Sequence, residues 1–166
     1  MLDSLWRGVL ILAYRALSVY WRLFRPRTAG VCVLVWHEGR LLVLRHSYKP
    51  GIGVPAGAPH RGEDAVTTAL RELREEVGVT LTAESLRPLG ELHPRHEGKR
   101  DHLVAFEAIV ERAPILQVDR REIVSAWWAN RAQLEGEELW PPLHELLVMT
   151  SSSESSPGTP RRSGNP

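Results

Sequence analysis

The period of the apolar positions changes along the chain, and each change marks an element. From Leu2 to Phe24 the period is helical. At about 100° per residue, Leu2, Leu5, Val9, Leu12, Ala16, Val19, Leu23 and Phe24 share one arc, while Ser4, Arg7, Arg15, Ser18, Arg22 and Arg25 gather on another. Ile11 and Trp21 fit this division less well, and Pro26 ends the helix. "AGVCVLVW" and "RLLVLRHSY" are then continuous apolar, β-branched runs separated by "HEGR", which predicts two strands joined by a tight turn. "GIGVPAGAPHRGE" carries four glycines and two prolines in thirteen residues and reads as a loop.

Helical period returns from Glu63 to Val77, with Val66, Leu70, Leu73 and Val77 as the buried stripe. Glu63 and Asp64 stand in its first turn, where acids suit the helix dipole, and Gly78 is placed to end it. Further strands are expected at Leu86–Leu92, His102–Val110 and Ile123–Ala129, with a closing helix through "PPLHELLVM". Trp127 and Trp128 should point to opposite faces of the last strand. The class is mixed α/β.

Composition changes this picture at the two ends. The chain has 166 residues, 25% of them charged and 43% hydrophobic, with a net charge of +1. That suits one domain with a real core, and gives no charge-based case for a specific nucleic-acid partner. Cys32 is the single cysteine, so no internal disulfide can form, and its apolar run makes it a small buried hydrophobe. The final "SSSESSPGTPRRSGNP" has no apolar residue and cannot offset its ordering entropy by burial. The expected organisation is a basic amphipathic helix over 1–27, a catalytic-type domain over 28–149 and a disordered tail over 150–166. Arg15 and Arg22 interrupt the first helix, leaving Gly8–Tyr14 as its continuous apolar stretch, too short for a span or a convincing signal peptide. Two uses remain for it: packing on its own domain or on a second subunit of a homo-oligomer, or peripheral contact with an anionic membrane surface. The implied setting is cytoplasmic, with the membrane surface as the helix's other station.

Candidate chemistry concentrates in "RELREEVG", residues 71–78. Glu72, Glu75 and Glu76 are spaced i, i+3, i+4 and share one helix face. Glu75 and Glu76 lie in the last turn, where the dipole disfavours carboxylates. Two unit charges ~6 Å apart repel by roughly 3 kcal/mol at an effective dielectric near 20. One reading is a solvated face paired with Arg71; the other is a site for a hard divalent cation, which relieves both penalties.

The wider spacing bears on that choice. Gly57 is followed by Glu63, then Arg71-Glu72-Leu73, Glu75-Glu76 and Gly78-Val79. This pattern, complete from Gly57 to Val79, resembles the signature of the Nudix hydrolase family. The resemblance implies an α/β/α sandwich with a mixed sheet, preceded here by the N-terminal amphipathic helix. It also implies water attack on the pyrophosphate of a nucleoside diphosphate linked to another moiety, with Mg²⁺ or Mn²⁺. Carried over by position, Glu72, Glu75 and Glu76 would be the metal-binding carboxylates, with the Ala56 carbonyl as a further ligand. Arg71 would orient the glutamates, and Glu63 would buttress the loop–helix junction or bind metal through water. A later acid is often recruited as base, for which Glu122, six residues before Trp128, is the candidate; Glu97 and Glu107 compete. The alternative to catalysis is an inert nucleotide-sensing module on the same fold, although no box glutamate is substituted.

"HPRHEGKRDH" reads either as a solvated basic loop or as a phosphate grip through Lys99 and Arg100. His93, His96 and His102 make a poor zinc set, with no cysteine near and no regular element expected to set their geometry. Ala56 stands where many family members have a second glycine, and Pro59 stiffens the loop. The box addresses a diphosphate and leaves the rest of the substrate open.

Overall fold

Side chains alternate across two long strands, β1 (Arg27–His37) and β2 (Arg40–His46), and both faces of each are apolar. A sheet can bury both faces only if something covers each of them. In the computed structural model, which describes residues 2–95 and 98–154, two helices do so. Val31, Val33, Val35, Leu42 and Leu44 pack with Ala69, Leu73 and Val77 of α2 (Ala65–Val77). Cys32, Leu34, Leu41 and Val43 pack on the other face with Leu143, Leu146 and Leu147 of α4 (Pro141–Glu154). The result is the expected α/β/α sandwich.

The remaining strands are β3 (Ile52–Gly53), β4 (Ala56–Gly57), β5 (Arg87–Leu92), β6 (Arg100–Ile109) and β7 (Ile123–Ala129), and a short α3 covers Arg131–Leu134. The main sheet order is β3-β2-β1-β6-β5, with β7 paired to β2 and β4 to β1. β1 runs parallel to β6 from Arg27↔Arg100 to Trp36↔Ile109, and antiparallel to β2, so the sheet is mixed. The β1–β2 turn places Glu38 and Gly39 at φ 47° and 72°, the double left-handed pair that matches hairpin twist. Trp127 and Trp128 do take opposite faces, packing against the α4 and α2 cores respectively.

Two strands appear inside the segment read as loop. Val31↔Gly57 and Cys32↔Ala56 pair β4 to β1, and Leu44↔Gly53 pairs β3 to β2. Such two-residue bridges are set by neighbouring strands rather than by local propensity, so no periodicity announces them. α4 extends to Glu154, beyond the boundary expected at 149; the remainder of the expected tail lies outside the described residues.

α1 (Leu2–Phe24) presents a different face from the one its pattern suggested. Arg7, Leu10, Ile11, Tyr14, Ser18 and Trp21 are the half-buried residues, whereas Leu5, Val9, Leu12, Val19, Leu23 and Phe24 are exposed. The half-buried arc straddles the basic one because aromatic and ring–cation contacts hold the helix. Tyr14 meets Tyr48 at 5.5 Å between ring centroids, Lys99 Nζ sits 4.0 Å from the Trp21 ring, and Arg7 Nε donates to the Arg120 carbonyl at 3.1 Å. No described helix is long and apolar enough to cross a membrane.

Candidate active site

Asp64 starts α2 as its N-cap, accepting from the Thr67 N–H at 2.7 Å. Glu63 and Asp64 therefore precede the helix instead of occupying its first turn. The helix ends at Gly78, whose φ of 72° is the left-handed conformation glycine tolerates. Between these caps, Ala69, Leu73 and Val77 turn to the core, while Val66 and Leu70 are only half-buried. Glu76 is buried too, at 6% exposure, and that is the unusual residue.

A buried carboxylate needs partners. Glu76 Oε2 accepts the Ala56 N–H at 3.0 Å, and Oε1 lies 3.3 Å from His46 Nε2. Burial holds His46 down to about 3, so its ring is neutral and the contact is a hydrogen bond rather than an ion pair. Burial pushes the Glu76 carboxyl up to about 7, against the opposing pull of the Ala56 N–H and Lys49. Glu72 is raised by burial and then by the charge of Glu76, with Arg71 opposing.

Arg71 binds the other acids together. Its Nε donates to Glu63 Oε1 at 3.0 Å, Nη1 to Glu72 Oε1 at 2.7 Å and Glu75 Oε2 at 3.1 Å, and Nη2 to the Ala58 carbonyl at 2.9 Å. Glu63 also accepts the His60 N–H at 2.8 Å, and Arg71 followed by that N–H lowers its carboxyl to about 2. Glu63 thus ties the loop to α2 through Arg71. Arg71→Ala should lower turnover on the order of 10–100-fold, as loss of an orienting partner does. Arg71→Lys should not restore it, because one ammonium cannot serve three carboxylates and a carbonyl. Steady-state kinetics of both variants check this, with thermal melts to separate it from unfolding.

Arg71, Glu72, Glu75, Glu76, Asp119 and Glu122 face one cavity of about 270 Å³, with His60 at its edge. The structure thus brings Glu122 from the start of β7 to the α2 acids, and adds Asp119, which the sequence did not single out. Burial, then Glu76 and Asp119, raise the Glu122 carboxyl. Five carboxylates around a cavity with Arg71 as the lining guanidinium fit a hard divalent cation. Gly57 supplies the close approach: a Cβ there would lie 1.9 Å from Glu72 Oε1.

Of the other candidates, Lys99 lines a second cavity beside this one, whereas Arg100 opens β6 with an exposed side chain and lines neither. Glu107 pairs with Arg87 away from the acids, and Glu97 and His96 lie outside the described residues. The two described histidines of that loop do gain a framework: His102 on β6 stacks on His93 at 5.0 Å and meets Glu91 of β5 at 2.8 Å. Tyr48 and Lys49, missed by sequence reasoning, line the second cavity, and the Lys49 charge acts on Glu76 and Glu122. Their only local signal is an aromatic–lysine pair before Pro50-Gly51, beside the box loop.

A NUDIX domain model matches residues 25–149. The chain belongs to the Nudix family. It is accordingly a Nudix-type hydrolase, an enzyme of pyrophosphate bonds in the general sense. Solved structures agree on the fold. The NUDIX domain of Shewanella oneidensis NrtR, complexed with ADP ribose, superposes with a TM-score of 0.69 at 17% identity, over 80% of this chain and 92% of that one. A bifunctional NMN adenylyltransferase/ADP ribose pyrophosphatase from Francisella tularensis, with AMP and a Mn ion, gives 0.66 at 16%, over 89% and 47%. A MutT/nudix family protein from Enterococcus faecalis gives 0.56 at 20%, over 61% of this chain and 43% of that one. The chain therefore spans less than half the length of the last two. No curated protein matches it.

Proposed function

We propose that this Nudix enzyme hydrolyses the pyrophosphate bond of a small nucleoside diphosphate linked to another moiety, using Mg²⁺ or Mn²⁺. The observation that carries the reading is the convergence of Glu72, Glu75, Glu76, Asp119 and Glu122 on one cavity. Glu72, Glu75, Glu76 and the Ala56 carbonyl would hold the metal, with Glu63 anchoring Arg71 or reaching the metal through water. When bound, the ion neutralises phosphate charge and acidifies the attacking water.

The chain's own residues do the rest by position and charge. Arg71 holds Glu72 and Glu75 in place on a rigid helix. Neutral His46 and the Ala56 N–H fix the carboxylate of Glu76. Glu122, which lines the same cavity and whose carboxyl is raised by burial and by the neighbouring acids, would accept the proton of the attacking water. Lys49, whose charge acts on both Glu76 and Glu122, sits where the substrate's phosphates would enter. Lys99 serves further along, and no specific nucleic-acid partner is involved. The outward apolar arc of α1, edged by Arg15 and Arg22, supports peripheral membrane contact or self-association beside catalysis.

The test is Mg²⁺- or Mn²⁺-supported release of nucleotide or phosphate across ADP-ribose, nucleotide sugars, dinucleoside polyphosphates and nucleoside triphosphates. Wild type is compared with Glu75→Gln. Turnover on one class, lost with Glu75→Gln at unchanged fold, is the expected result. Nucleotide binding without turnover of any class would favour an inert sensing module.

A further inference from the structure

We infer that the N-terminal helix α1 is part of the substrate site: the cavity of about 430 Å³ between α1 and the sheet takes the nucleobase of the substrate, with Tyr14 and Trp21 as walls. The inference rests on the hydrolase reading for the diphosphate, and adds where the base goes and which segment selects it.

Position comes first. Ala56, Gly57 and Ala58 line this second cavity, and Gly57 is the residue whose missing Cβ lets Glu72 come close. A run of packed side chains leads from one site to the other. Glu76 lies 3.3 Å from His46, whose ring is 5.3 Å from that of Tyr48, which in turn is 5.5 Å from Tyr14 of α1. A diphosphate held at the carboxylates therefore has its organic group directed past Gly57 and under α1. A cavity of this volume falls within the range of small-molecule sites.

The lining decides what that group is. Leu10, Leu17, Val31 and Leu103 make apolar walls, and Tyr14, Trp21, Tyr48 and Trp140 supply aromatic surface. A second set of groups is polar: Asp101, hydrogen-bonded to the Thr28 hydroxyl and 3.8 Å from Lys99, is only 7% exposed. An aliphatic chain would answer the apolar walls alone and make use of neither the aromatic faces nor the polar set. A nucleobase answers both, with ring faces for the aromatics and edge donors and acceptors for Asp101, Lys99 and Thr28. The family match begins at residue 25, so Leu10, Tyr14, Leu17 and Trp21 come from a segment outside it.

The experiment is isothermal titration of the full chain, with Ca²⁺ in place of Mg²⁺, using ADP, GDP, UDP, CDP and inorganic pyrophosphate as probes. Wild type should bind at least one nucleotide more tightly than pyrophosphate. Tyr14→Ala and Trp21→Ala should each weaken that nucleotide about 10-fold, the scale of one base–aromatic stack, and leave pyrophosphate within about twofold. Trp21→Phe should recover most of the loss. Leu17→Trp fills the cavity from the same helix without removing packing, and should block the nucleotide even if the alanine variants disturb α1. Leu23→Ala, on the exposed arc at 72% exposure, should change nothing. Equal affinity for pyrophosphate and every nucleotide, or nucleotide binding that survives Leu17→Trp, overturns the inference. A nucleotide bound in this way but never hydrolysed with Mg²⁺ or Mn²⁺ would instead sink the hydrolase reading and leave this one standing.

Discussion

Glu76→Gln should reduce kcat on the order of 10²–10³-fold while leaving the metal-free protein as stable as wild type, or more so. The two effects separate because the side chain answers two demands. Its shape is part of the core: 6% exposed, it accepts the Ala56 N–H and touches His46. A glutamine keeps that shape, with its oxygen on the Ala56 N–H and its amide nitrogen toward the neutral imidazole. Its charge is what the fold tolerates poorly, since burial drives the carboxyl up to about 7. Removing the charge relieves a desolvation cost and removes the negative oxygen that a cation needs. Thermal melts and steady-state kinetics on the same preparations check both halves. Mg²⁺ or Mn²⁺ should also raise the melting temperature of wild type by binding the native state alone, and raise that of Glu76→Gln far less. A variant that melts early and loses activity in proportion would reduce Glu76 to a packing residue.

Gly57→Ala should cost about 10²-fold in turnover with little change in melting temperature, the scale of roughly 1 Å of misplacement in an active site. An ideal Cβ at Gly57 lies 1.9 Å from Glu72 Oε1 and 2.1 Å from its Cδ, so the carboxylate must swing away. The fold has less reason to suffer. Gly57 is not among the glycines with positive φ, and its pairing with Val31 uses backbone atoms that alanine also has. Kinetics with a metal titration should show a raised metal requirement, because Arg71 then holds Glu72 in a different place. Full activity in the alanine variant would detach Glu72 from the metal.

These two residues show how unevenly the site could be read from the chain. The spacing of Glu72, Glu75 and Glu76 put them on one helix face, and their repulsion there left a solvated face and a cation site as the two readings. That Glu76 is the buried member was hidden, because burial depends on β2 and β4 arriving over the last turn of α2. Glu122 was named through the family resemblance, by its spacing to Trp128, and does line the cavity. Asp119, three residues earlier in the connection to β7, carried no comparable signal. Tyr48 closed the run read as a strand, and Lys49 followed it without a signal of its own. The basic loop divided: Lys99 lines the second cavity and lies over Trp21, while Arg100 is carried away by its pairing with Arg27.

The N-terminal helix shows the same division most plainly. Its period and its end at Pro26 were local matters, decided by dihedral preference and a missing N–H, and they were legible. Which face it would press against the domain was not, because its apolar arc is not the one the domain needed. Tyr48, Lys99 and the Arg120 carbonyl selected Tyr14, Trp21 and Arg7 instead. By itself the sequence determined the strand and helix periods, the glycine at Gly57 and the carboxylate spacing on α2, all of which act within a turn or two of chain. Tertiary structure alone decided which glutamate is buried, which cation of the basic loop lines the second cavity, and that α1 walls it. Those outcomes depend on which surfaces meet across the sheet, and contacts between residues far apart in sequence leave no period to read.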